Sequence, residues 1–73
     1  MTVNVARLRQ AMEDNSVSVD GLARALNIDK TTVYRKMKTN GESFTVGEMH
    51  KIVDVLNLTA STASDIFLFE NSQ

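Results

Sequence analysis

Apolar residues recur at helical spacing along nearly the whole chain. Val5, Leu8, Ala11 and Met12 are three or four residues apart and mark one face of a helix over about residues 4–14. Asn4 or Thr2 is placed to cap it, and Asn15-Ser16 closes it, because Asn tolerates the left-handed backbone that ends many helices. Leu22, Ala23 and Leu26 define a second helix over about 18–26, with Ser18 as its cap. After the break Asn27-Ile28-Asp29, Val33 and Met37 give the inner face of a third helix over about 30–38. Asp29 is set to accept hydrogen bonds from the first free amides of that helix.

Thr39-Asn40-Gly41-Glu42-Ser43 is a turn-forming cluster. Thr45 followed three residues on by Glu48 spells a capping box, and Phe44 with Met49 can form the hydrophobic staple around it. The fourth helix, about 46–56, is expected to bury Val46, Met49, Ile52, Val53 and Leu56 and to stop at Asn57. Thr59 caps a fifth through about Phe67, and Leu68-Phe69 either continues it or extends as a short strand.

Composition sharpens this all-α expectation. There is no proline and there are only three glycines. Gly21 inside the second helix costs roughly 1 kcal/mol relative to alanine, so it marks either close packing or tolerated weakness. At 73 residues the chain has room for one core, so 1–73 is expected to be a single domain. A large cleft with a buried catalytic constellation is hard to fit. The absence of cysteine excludes disulfides and thiolate metal sites and suits a reducing compartment. The longest apolar run is Ile66-Phe67-Leu68-Phe69, too short for a signal peptide or a membrane span, so a soluble, cytoplasmic protein is expected.

The formal net charge is −1, which by itself argues mildly against a nucleic-acid partner. Its distribution argues the other way. Residues 24–38 hold Arg24, Lys30, Arg35, Lys36 and Lys38 against Asp29 alone, a net of +4. Residues 39–73 hold Lys51 against Glu42, Glu48, Asp54, Asp65 and Glu70, a net of −4. A focused patch attracts an anion even on a slightly acidic chain.

The basic segment overlaps LARALNIDKTTVYRKM, residues 22–37, which meets the demands of two short helices crossing at a tight turn. Ala23 is small where the helices touch, Asn27 accepts unusual backbone angles, Ile28 plugs the core, and Val33 holds the inner face while the first turn of the third helix stays exposed. The alternative is a pair of ordinary core helices. Other chemistry is sparse. His50 is the lone histidine and reads as a solvated surface residue, and Glu13-Asp14 as solvated helix-end charges. Met12, Met37 and Met49 fit core positions. No metal-ligand pair, glycine-rich phosphate loop or nucleophile elbow is present, so neither a cofactor nor an enzyme is expected.

With that motif and the closing segment FTVGEMHKIVDVLNLTASTASDIF, the chain from Val5 to about Phe67 resembles the small Cro and repressor DNA-binding domains of bacteriophages, within the wider xenobiotic-response-element type of helix-turn-helix proteins. The family's turn glycine is Asn27 here, and its frequent glutamine near the start of the second helix is Val19. The resemblance implies a compact five-helix, lambda-repressor-like domain in the cytoplasm of a bacterial host, with double-stranded DNA as partner. It also implies that the third helix enters the major groove with Lys30, Thr31, Tyr34 and Arg35 toward the bases, and that Ser18, Thr32, Lys36 and Lys38 meet phosphates. Their chemistry suits those parts. Lys and Arg donate to guanine acceptors, Thr31 bonds a base edge or touches a thymine methyl, and phosphate contacts set register. Lys30 opposes the dipole of its own helix at about 0.3–1 kcal/mol, which an external anion would explain.

Two functions follow from the resemblance. One is a transcriptional regulator whose occupancy of an operator itself blocks polymerase. The other is an antirepressor or modulator on the same fold that binds a phage repressor protein instead of DNA, which the acidic last 35 residues, Asp29 and Val19 favour. A homodimer on two half-sites about 34–36 Å apart is expected for the first. The run Ile66–Phe69 would then either serve self-association or pack back on the core.

Overall fold

A computed structural model describes residues 3–67 of the chain. It contains five helices: α1 (Val5–Asp14), α2 (Val19–Leu26), α3 (Lys30–Lys38), α4 (Val46–Val55) and α5 (Ala60–Phe67). Side-chain caps fix most of the helix starts. Asn4 Oδ1 accepts from the Arg7 amide at 3.1 Å, Ser18 Oγ from the Gly21 amide at 3.1 Å, and Thr59 Oγ1 from the Thr62 amide at 3.1 Å. Thr45 and Glu48 close their capping box with two reciprocal bonds of 3.0 Å. Each cap satisfies an amide that the helix itself leaves open. Asp29 departs from expectation. Its carbonyl accepts from Thr32 and Val33, so it begins α3, but its side chain makes no capping bond.

Left-handed residues follow four of the helices: Ser16 (φ 56°), Asn27 (φ 59°), Asn40 (φ 58°) and Asn57 (φ 52°). Asn is the residue other than glycine that adopts this conformation most readily. At the end of α1 the turn falls on Ser16, while Asn15 stays at φ −106° and its side-chain amide donates back to the Ala11 carbonyl at 2.8 Å.

The core gathers inner-face residues from every helix, with Leu8, Leu22, Val33, Ile52, Leu56, Ile66 and Phe67 fully buried. Met12, Met37 and Met49 join them. The close helix pairs are α2 with α3, α2 with α4, and α1 with α5. Val46, expected inside, is instead 62% exposed. At 100° per residue it stands roughly a quarter turn from the Met49-Ile52-Leu56 stripe, at the first helical position. Val53 is half-buried. Ile66 and Phe67 pack into the domain's own core, so they offer no surface to a second copy. Leu68 and Phe69 lie outside the described residues, as does Thr2.

The segment before α1 ties the two ends of the fold together. The Val3 amide donates to the Asn40 carbonyl at 3.1 Å and the Asn4 amide to the Ile66 carbonyl at 2.6 Å. Val3 is buried against Gly41 in the turn after α3. Among the described residues no helix is long and apolar enough to cross a membrane.

Gly21 is tolerated weakness, not a packing requirement. A Cβ placed there would meet Val17 Cγ1 at 3.5 Å and Ser18 Oγ at 3.6 Å, ordinary contact distances. Gly21→Ala is therefore expected to raise stability by about 0.5–1 kcal/mol, seen as a higher melting temperature. A lower one would mean that the start of α2 is tighter than these distances indicate.

Candidate nucleic-acid interface

The turn between α2 and α3 is built from its own backbone bonds. Asn27 takes the left-handed conformation, its amide donates to the Arg24 carbonyl at 3.1 Å, and the Ile28 amide donates to the Ala23 carbonyl at 3.0 Å. Ala23 is buried in the core, and Ile28 packs half-buried against it. Asn27-Ile28-Asp29 thus redirects the chain within three residues, and α3 begins at Lys30.

Burial of Val33 and Met37 fixes which face of α3 looks outward. That face carries Thr31, Tyr34, Arg35 and Lys38, all exposed, and Lys30 is exposed as well because it stands at the first position of the helix. Tyr34 is 49% exposed, a large ring left in water where the core could have used it. Arg35, Lys36 and Lys38 lie in the last turn of α3, where cations also complement the negative end of the helix dipole. Their presence is therefore partly explained by helix stability alone. Lys30 has an internal partner, Asp20 of α2, at 3.8 Å. Both side chains are more than half exposed, so the pair is weak and readily exchanged for another anion.

Ser18 stands at the start of α2. Its oxygen accepts the capping bond, which leaves the hydroxyl hydrogen to donate elsewhere. Arg9 of α1, unremarked in the sequence, shares with Ser18 and Val19 a cleft of about 200 Å³ whose floor includes Met12 and Met37. Only folding brings Arg9 there, and no local pattern marks it.

Thr32 and Lys36 do not join the outer face. Both are half-buried on the flank of α3 toward the 39–43 turn. They line, with Arg35, Thr39, Glu42 and Ser43, an open groove of about 560 Å³. Lys36 is occupied from within: its ammonium lies 3.3 Å from Glu48 Oε1 and donates to the Ser43 carbonyl at 2.8 Å. Helical spacing already hinted at this, since position 36 follows Val33 by three residues and borders the inner face. Glu42 adds a carboxylate to the groove beside α3, a juxtaposition that only the fold produces. His50 is exposed on α4.

Two short helices crossing at a left-handed turn, the second displaying cations and a tyrosine on its free face, form a helix-turn-helix. The chain belongs to the Cro/C1-type HTH DNA-binding domains, a family that matches residues 7–67. Neither the curated proteins nor the solved structures contain a match to it. Membership carries DNA binding with it, and the match spans all of α2 to α5 and most of α1.

Proposed function

We propose that this protein is a small transcriptional regulator of the phage Cro and repressor kind, which places α3 in the major groove of an operator. The supporting observation is the exposed surface of α3: Thr31, Tyr34, Arg35 and Lys38 on the outer face and Lys30 at the first position are exposed together, on a helix whose other face is locked into the core. Arg35 and Lys30 donate to guanine acceptors, Thr31 meets a base edge or a thymine methyl, and Tyr34 packs on a sugar or thymine. Ser18 and Lys38 bond phosphates, which set the register of the helix without reading sequence. A homodimer on two half-sites doubles the few base contacts that one domain supplies.

The acidic remainder of the chain supports a second function, a modulator that grips a repressor protein with the same fold. Residues 39–73 carry a net of −4, and Glu42 stands in the groove beside α3, where it would repel a phosphate. Titration of labelled duplexes from the protein's own gene neighbourhood, at two salt concentrations and with the adjacent regulator present or absent, separates the two. A DNA reader retains one duplex over its scrambled counterpart and loses affinity steeply with salt. A modulator retains none and binds the regulator.

A further inference from the structure

We propose that Lys36 is a positioning residue: it anchors α3 to the start of α4 and so fixes the rotation at which α3 presents its neighbour Arg35. The proposal rests on α3 being the DNA-reading helix. α3 packs closely on α2 but does not form a close pair with α4. One polar side chain bridges from α3 to the start of α4. The Lys36 ammonium sits 3.3 Å from Glu48 Oε1, donates to the Ser43 carbonyl at 2.8 Å, and lies 5.7 Å from the centre of the buried Phe44 ring.

Glu48 Oε1 is the same oxygen that accepts the Thr45 amide at 3.0 Å in the capping box. A single carboxylate therefore caps α4 and holds α3. The two side chains are only 15% and 16% exposed, so water competes poorly for the pair. Among the three ion pairs of the described residues, Lys30–Asp20 and Arg7–Asp65 are far more open. Moving Lys36 onto a phosphate would strand a mostly buried carboxylate, an unfavourable exchange. Lys36 consequently stays on Glu48 when DNA binds and releases no counterion. Lys38, two residues on and exposed, behaves in the opposite way.

The test compares wild type, Lys36→Met and Lys38→Ala on the best duplex and its scrambled form across a salt series. Methionine keeps the apolar stem and removes the charge. Circular dichroism checks folding. If Lys36→Met does not fold, Glu48→Gln replaces it, because glutamine can still accept the Thr45 amide. The expected result is a salt slope equal to wild type for Lys36→Met, with preference for the best duplex reduced about tenfold. Lys38→Ala should lower the slope by about 0.9 and leave the preference intact. A slope lowered by Lys36→Met as by Lys38→Ala makes Lys36 a phosphate contact and overturns the proposal. An unchanged slope with unchanged preference overturns it too. Failure of wild type to prefer any duplex instead removes the DNA-reading function beneath it. The anchor is then judged by the thermal unfolding of Lys36→Met, Glu48→Gln and the double variant. Non-additive effects support it, and strict additivity overturns it.

Discussion

Replacing Gly41 by alanine should lower stability by about 2–5 kcal/mol, enough to unfold much of the population of so small a domain. Two independent effects add. Gly41 sits at φ +72°, in the left-handed region, where a Cβ costs roughly 1–2 kcal/mol. That Cβ would also collide with Val3 Cβ and lie 2.5 Å from Val3 Cγ2 and 3.1 Å from Val3 Cγ1, and forcing an atom into a packed site costs about 1–3 kcal/mol. A domain of this length holds only about 4–11 kcal/mol in all. Urea unfolding followed by circular dichroism measures the loss, and Val3→Gly, which removes the Cβ as well as both methyls, tests its cause. With the valine trimmed, Gly41→Ala should cost distinctly less than in the intact chain. Equal costs in both backgrounds would mean that the turn does not rest on Val3.

That contact illustrates what the sequence could not disclose. The five helices were readable because each carries its own local signals, an apolar stripe at steps of three and four and a capping residue just before it. Thr45 with Glu48 is the clearest case, and both bonds form. Gly41 was recognisable as a turn residue, but nothing local says that Val3 crosses above it. Asp29 has the composition of a cap and the right backbone, yet the bond is not made. Val46 was misplaced because its three-residue step to Met49 resembles the apolar spacing, although it stands about a quarter turn from the centre of the buried stripe. Gly21 allowed two explanations, and only the distances to Val17 and Ser18 choose between them.

The second large effect concerns DNA. Arg35→Ala should weaken binding to the preferred duplex by about 1–3 kcal/mol and relax the choice of base at one position of each half-site. Arginine offers two parallel donors that match guanine O6 and N7, so its loss is felt most where that guanine is present. Binding to scrambled duplex should fall much less. Lys38→Ala is the matching control: it should weaken every duplex alike, because a phosphate contact releases a counterion at any sequence. Titrations of both variants on matched and scrambled duplexes decide the point. A uniform loss for Arg35→Ala would move that residue from the bases to the backbone.

How far the site was legible follows from the same logic. Thr31, Tyr34, Arg35 and Lys38 could be placed on one face because helical spacing from Val33 and Met37 dictates it, whereas Lys30, three residues before Val33, is exposed because it stands at the first position of the helix. Lys36 belongs to the same basic run, but its surroundings come from residues 43–48, which only the tertiary fold brings alongside. Asp20 opposite Lys30, and Arg9 beside Ser18, are likewise products of helix packing. A charge count over residues 24–38 therefore overstates the cations free to meet DNA, since one of them is already held inside the protein.

The central claim, that the outer face of α3 reads the duplex, is tested most directly by amide chemical-shift mapping of isotope-labelled protein titrated with the retained duplex. The largest changes should fall on residues 30–38 and around Ser18 at the start of α2, with α5 nearly silent. Shifts concentrated on α4 and α5, or none at saturating duplex, would contradict it.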